Sequence, residues 1–235
     1  MSFRSSVKLI SGKHLNYFPA KFLVLLIVTD LAFILLHLLF YLPNSYSHFF
    51  LSQVIWHKKS LLLTQDGGFA EVFQYIKEFW IFLLLTFGYW QRKNLVYLSW
   101  ALFFGYLLLD DFLSIHEIIG AMIGNFLHFP TVLNLQSSDF GEIIFLATMG
   151  IIFLTPIAYN HAQSKYRARK HSNFLIFFLL ALIISAVILD VVHAALGINP
   201  LLDLIFGLLE DGSEHVVISL TLAFVYGINW QRAIE

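Results

Sequence analysis

The stretch LVYLSWALFFGYLLLDDFLSIHE, residues 95–117, is apolar over most of its length and then ends on a run of ionisable side chains. It is long enough to cross a bilayer, since a spanning helix needs about 20 mostly apolar residues. Ionisable side chains are costly inside a membrane and are usually functional there, which singles out Asp110, Asp111, His116 and Glu117. The stretch therefore predicts a membrane helix that carries a polar site near one end.

The whole chain has a membrane-like composition. Of its 235 residues, 59% are hydrophobic and only 12% are charged, about half the charged share of a soluble domain. The chain has no cysteine, which excludes disulfides and thiolate ligands. No basic patch with interleaved aromatic residues suggests a nucleic-acid partner. We predict a single integral membrane domain over residues 1–235, with the lipid bilayer as its main partner.

Six apolar stretches predict an all-α helix bundle with six transmembrane helices, at about residues 22–42, 75–91, 95–117, 142–160, 173–196 and 202–228. Pro43 and Asn44 end the first stretch, and Gly197 and Pro200 separate the last two. The half-polar segment 44–74 predicts a short helix on the membrane surface, followed by a turn at 65–68.

Basic residues occur in alternate connections of this bundle, at Arg4, Lys8, Lys13, Lys21, Arg92, Lys93, Lys165, Arg167, Arg169, Lys170 and Arg232. The positive-inside rule places these segments in the cytoplasm. We therefore expect both termini to be cytoplasmic, in a multi-pass protein of the bacterial cytoplasmic (inner) membrane.

Acidic residues concentrate toward the opposite, outer side. With a rise of 1.5 Å per residue, Asp110 lies roughly 10 Å below the outer boundary, and Glu210 to Glu214 lie roughly 12–18 Å below it. Asp190 lies at a similar or shallower depth. Three helices thus carry carboxylates at overlapping depths, which predicts one outward-facing site in the outer leaflet.

Acids and histidines of this site recur at helical spacing, as in the metal sites of helix bundles. A single continuous third helix would place Asp110, Ser114 and Glu117 on one stripe, with Asp111 and His116 on either side. The candidate metal ligands are Asp110, Asp111, His116, Glu117, Asp190, His193, Glu210, Asp211, Glu214 and His215. Oxygen and imidazole ligands predict a divalent Zn, Mn or Fe ion.

Several simpler interpretations stay open. Glu117, Glu142 and Asp203 lie near helix ends and could face water between the lipid headgroups. Asp30 lies alone in the first span, where it would pair with a neighbouring helix or carry protons. No basic side chain is predicted near the acid cluster, so the carboxylates would share protons or hold a metal.

Two motifs, Asp110-Asp111-x4-His116-Glu117 and Glu210-Asp211-Gly212-Ser213-Glu214, resemble paired motifs of a group of uncharacterised bacterial multi-pass membrane proteins. The resemblance covers most of the chain and implies a shared acidic site, without implying a reaction. The His-x3-His pair of the ceramidase and adiponectin-receptor type of membrane hydrolase is absent from the sequence.

Three functions fit these observations. The first is a metal site that acts, as a hydrolase or an oxidoreductase, on a lipid-like substrate. The second is a proton- or cation-coupled transporter that uses the same acids as a relay. The third is a non-enzymatic sensor or assembly subunit. The chain has 13 glycines and five prolines, which leaves few sites for the broken helices of transporters.

Overall fold

The computed structural model describes residues 19–41, 59–196 and 200–234, and all their regular structure is helical. The α-helices are α1 (Ala20–Tyr41), α2 (Phe69–Arg92), α3 (Leu95–Leu113), α4 (Ile115–Leu127), α5 (Ser137–Gln163), α6 (Tyr166–Leu182), α7 (Leu189–Leu196) and α8 (Pro200–Ile234). A 3-10 turn spans Lys59–Leu61, and a π-helical segment, Ile183–Ile188, joins α6 to α7. The predicted all-α fold is confirmed.

Side-chain hydrogen bonds show which connections and helix ends lie together. Arg92, at the end of α2, donates a hydrogen bond of 2.9 Å to Asn229 near the end of α8. Asn94, just before α3, accepts one of 3.0 Å from Ser164 just after α5. The α2–α3 and α5–α6 connections, which carry basic residues, therefore lie at one end of the bundle.

Within the described residues, four stretches of helix are long and apolar enough to cross a membrane: α1, α3, α5 and the continuous rod formed by α6, the π-helical segment and α7. Helices α2 and α8 are 24 and 35 residues long but carry more charged side chains. Several of these, among them Lys77, Glu78 and Glu214, belong to the polar centre described below. The structure thus supports a multi-pass membrane protein. That α2 and α8 also cross the membrane, and that both termini are cytoplasmic, remain predictions.

Two of the differences between the predicted spans and the observed helices affect the polar region. The predicted third span, 95–117, ends at Leu113, because Ser114 adopts a left-handed backbone conformation with φ of 48° and a second helix begins at Ile115. The predicted second span, 75–91, is part of the longer α2, which begins at Phe69. The predicted interfacial helix in segment 44–74 lies largely outside the described residues, while the predicted turn is present, with Gly68 N donating to Gln65 O at 2.9 Å.

The apolar core lies between α2, α3, α6 and α8. Trp100 is fully buried and donates its indole N–H to Ser172 Oγ at 2.9 Å. Phe224 of α8 packs against Phe178 of α6, with ring centroids 5.7 Å apart. Burial of large aromatic side chains dominates core energetics, so this region holds the helices that carry the polar centre in a fixed arrangement.

Glycines allow α4 to pack tightly against the start of α5. A Cβ atom on Gly141 would overlap the backbone of Gly120, and one on Gly124 would overlap the backbone of Ser137. Ser137 Oγ also donates to the Gly124 carbonyl at 2.7 Å. Small residues four apart are the usual means of such close helix contact in membranes. This hairpin fixes the position of His116 at the beginning of α4.

Candidate metal centre

Three carboxylates from three helices meet in the polar part of the bundle, and we call them the first group: Glu78 of α2, Asp111 of α3 and Glu214 of α8. One oxygen atom from each lies within 4.8 Å of the other two. Gln74 Nε2 donates to Glu214 Oε1 at 2.6 Å. Glu78 is 0% exposed; in the described part of the chain its carboxylate oxygens accept no hydrogen bond from an amide, hydroxyl or cationic donor, and its hydrogen-bonding neighbour is the Asp111 carboxyl group.

The second group consists of Asp110, Asp111 and His116, whose ligand atoms also lie within 4.8 Å of one another. His116 Nδ1 is 3.3 Å from Asp110 Oδ2. The left-handed conformation of Ser114 breaks the helix here and gives His116 a direction that a continuous helix would not. Uncommon backbone conformations of this kind concentrate at functional sites.

Close carboxylates need a neutralising species. Like charges at this separation cannot all stay ionised without a cation, so they bind protons or a metal. Asp111 belongs to both groups, which makes it the central residue of the site.

A buried ion pair lies next to the first group. Lys77 Nζ is 3.0 Å from Asp30 Oδ1, and both side chains are 0% exposed. Ser219 Oγ donates to Asp30 Oδ2 at 2.5 Å, and Lys77 Nζ also donates to the His215 carbonyl at 2.9 Å. The expected pairing of Asp30 with a neighbouring helix is thus observed. The prediction that no basic side chain lies near the acids is wrong, because Lys77 is the residue next to Glu78 of the first group and contacts His215 on α8.

His215 belongs to this ion-pair network. Its Nδ1 lies 3.2 Å from Lys77 Nζ, so the predicted role of His215 as a metal ligand is not what the geometry favours. An unprotonated Nδ1 accepts from the ammonium, which leaves the proton of the neutral ring on Nε2.

The other predicted ligands surround the two groups without joining either of them in the described residues. His193 lies between two acids, with Nδ1 3.4 Å from Glu210 Oε2 and Nε2 3.3 Å from Asp203 Oδ1. The remaining three, Glu117, Asp190 and Asp211, line the cavities at this site.

Two cavities reach the carboxylates from different sides. The smaller, of about 170 Å³, is polar and includes Asp66, Glu71 and Gln74 in its lining. The larger, of about 550 Å³, lies between α3, α5, α6 and α8. Its lining is acidic toward one end of these helices, at Asp110, Asp111, Glu117, Glu142, Asp190, Glu210 and Glu214, and largely apolar further along them, at Phe103, Leu107, Met149, Leu154, Leu179 and Leu182.

Glu78 is absent from the predicted ligands because the predicted second span, 75–91, places it close to the end of that helix. The sequence does carry a signal, since Lys77 and Glu78 are adjacent opposite charges within that predicted span. Ionisable residues in such a span are functional candidates by default. Gln74, which binds Glu214, has no comparable signal.

The fold and the site together define an α-helical membrane protein with a carboxylate-rich centre. Residues 68–228 match the model of a protein family described as a domain of unknown function, DUF8692, and the chain belongs to that family. The matched region extends from the start of α2 into α8 and includes both groups of candidate ligands. No curated protein and no solved structure matches the chain.

Proposed function

We propose that this membrane protein binds a divalent Zn, Mn or Fe ion at Glu78, Asp111 and Glu214, and that it hydrolyses a lipid-like substrate there. The observation that carries the proposal is the Glu78 carboxylate, which is fully buried, receives no hydrogen bond from an amide, hydroxyl or cationic donor in the described chain, and lies against the carboxylates of Asp111 and Glu214. A buried carboxylate is costly unless it is paired or ligates a metal.

The ligand set suits a divalent ion. Carboxylate oxygens with a nearby imidazole match the preferences of Zn, Mn and Fe, and the absence of cysteine disfavours softer metals. The hydrogen bond from Gln74 to Glu214 is the kind of supporting contact that orients metal ligands. Because the three carboxylates come from α2, α3 and α8, the ion would hold these helices together.

The larger cavity supports a lipid-like substrate. Its volume of about 550 Å³ falls within the range of small-molecule sites. The apolar part of its lining suits an acyl chain, and the acidic part places the polar group of the lipid beside the carboxylates. The described lining contains acidic residues but no Lys or Arg, which favours a neutral or cationic polar group over an anionic one.

The smaller cavity supports hydrolysis. It is lined mainly by polar side chains and includes Asp111 and Glu214, so water reaches the same carboxylates that face the lipid cavity. Divalent metals lower the pKa of water that they bind and thereby supply a nucleophile at neutral pH. The two cavities thus bring the two reactants to one centre from different sides.

Elemental analysis of the detergent-purified protein tests the metal. We expect bound Zn, Mn or Fe in the parent protein and a lower content in Glu78→Gln. Glu117→Gln is the matched control, because it replaces a carboxylate that lines the same cavities but belongs to neither group. A parent protein that stays metal-free after titration with all three ions would overturn the proposal.

Gly150 allows the substrate cavity to be tested separately. It lines the larger cavity, and a Cβ atom there would meet nothing within 4 Å. Gly150→Phe should therefore fill the cavity without disturbing the fold, abolishing hydrolysis of lipid substrates while leaving metal content unchanged. Gly150→Ala should retain activity. Full activity in Gly150→Phe would show that the substrate binds elsewhere.

A proton- or cation-coupled transporter is the second candidate, favoured by the Asp30–Lys77 pair beside the acids. The Glu214→Gln variant distinguishes the metal site from the transporter. If Glu214 ligates a metal, the substitution should remove the metal and lower the melting temperature. If Glu214 belongs to a proton relay, the glutamine mimics the protonated acid, so stability should be preserved while pH-dependent transport is abolished. Metal-free protein of unchanged stability, with Glu214→Gln behaving like the parent, would favour a non-enzymatic sensor or assembly subunit.

A further inference from the structure

Asp111 contributes to both groups of candidate ligands. We infer that the centre is binuclear, with one divalent ion held by Glu78, Asp111 and Glu214 and a second by Asp110, Asp111 and His116. Asp111 would bridge the two ions. The inference rests on the proposed function for its first ion and adds the second.

The geometry allows a bridge. The ligand atoms of each group lie within 4.8 Å of one another, and the two oxygens of a shared carboxylate can each bind a different ion. Paired metal sites hold their ions about 3.5–4 Å apart and are common in enzymes that catalyse hydrolytic displacement. The two ions would be held by different parts of the chain, the first chiefly by α2 and α8 and the second by α3 and α4.

A buried carboxylate oxygen points to the second ion independently of Glu78. Asp110 is 2% exposed, and its Oδ1 lacks a well-formed hydrogen bond in the described residues, the Tyr106 hydroxyl being its neighbouring donor. Buried polar atoms without a protein partner are uncommon in folded proteins, and a metal ion is one of the species that satisfy them.

Charge balance also favours two ions. The two groups together contain four carboxylates, those of Glu78, Asp110, Asp111 and Glu214. The Asp30–Lys77 pair is neutral by itself and contributes no net charge to the centre. Two divalent cations offset four carboxylate charges without any bound proton, whereas one ion leaves two carboxylates to be neutralised by protons.

Stoichiometry and spectroscopy of the parent protein test the inference directly. Protein stripped with a chelator is titrated with Mn²⁺, and bound metal is counted against protein. We expect two ions per chain and the electron paramagnetic resonance spectrum of a spin-coupled pair. One ion with the spectrum of isolated Mn²⁺ would overturn the binuclear centre and leave the proposed function standing. No bound ion would overturn both.

Amide variants assign the ions to the groups. Glu78→Gln and Asp110→Asn should each bind one ion and lose the coupled spectrum, since each removes a ligand of one ion only. Asp111→Asn should lose both ions, and Glu117→Gln should keep two. Helix content and elution volume show whether each variant folds, and the titration of the parent decides the question even where a variant does not. An Asp110→Asn variant that folds and keeps two coupled ions would also overturn the assignment.

Discussion

Replacing Lys77 by methionine removes the ammonium of the buried ion pair and keeps a side chain of similar length. Asp30 would then retain the hydrogen bond from Ser219 but lose its charged partner. Both Asp30 and Lys77 are 0% exposed, so water cannot replace that partner. We therefore expect Lys77→Met to be strongly destabilising.

The expected loss of stability follows from the charge that each single substitution leaves buried without a partner. Removing one member of a buried ion pair costs about 3–5 kcal/mol, because the other charge stays buried without compensation. Replacing both members by apolar residues of similar volume is often neutral or stabilising. Asp30→Leu alone should thus be as harmful as Lys77→Met, and the double variant should recover most of the loss.

A double-mutant cycle provides the measurement. The free energy of unfolding of the parent, both single variants and the double variant is measured by denaturant titration in mixed micelles, with a chelator present so that metal binding does not contribute. With single losses of about 3–5 kcal/mol each and a smaller loss in the double variant, the coupling energy should be at least about 3 kcal/mol, at the upper end of the range observed for residues in direct contact. Single variants that each lose less than about 1 kcal/mol, with no coupling, would refute the buried pair.

Other parts of the structure give three further predictions. Gly141→Leu should force α4 away from α5 and lower the melting temperature, because overpacking costs at least about 1–3 kcal/mol. Gly150→Leu is the control, since its side chain projects into open space and the variant should melt like the parent. Equal melting temperatures of the two variants would contradict the tight packing of α4 on α5. Removing bound metal with a chelator should lower the melting temperature, since a ligand at a hundred times its Kd stabilises by about 2.7 kcal/mol, and the addition of metal should restore it. Reporter fusions after Lys93 and Lys170 should report the cytoplasm and a fusion near Gln136 the outside, and the opposite pattern would reverse the orientation.

The membrane class and the all-α fold could be predicted because the bilayer acts locally on the sequence. Every backbone polar group in hydrocarbon must be satisfied within its own helix, so apolar runs reveal the helices directly. The break at Ser114 has no such signal. Serine rarely adopts a positive φ, and nothing in the sequence distinguishes Ser114 from a serine inside a continuous helix.

Part of the candidate site could also be predicted, because ionisable residues are conspicuous in apolar helices. Asp110, Asp111, His116 and Glu214 stood out because they interrupt apolar runs, and the structure brings Asp111 and Glu214 together. Glu78 was missed because the predicted second span begins at residue 75, which places this residue near a helix end. The pairing of Lys77 with Asp30 is a tertiary contact, which spacing along one helix cannot reveal.

The ion pair between Asp30 and Lys77 also bears on how the chain is inserted during synthesis. A charged residue at the centre of a helix costs about 2.5–3.5 kcal/mol on insertion, and α2 carries both Lys77 and Glu78. In the predicted six-span topology α1 is made before α2 and would already present the Asp30 carboxylate when α2 leaves the ribosome. Pairing of the two side chains would then lower the cost for α2 and make its entry into the bilayer depend on α1. The polar centre would be completed only when α8, made after α1–α7, supplies Ser219 and Glu214.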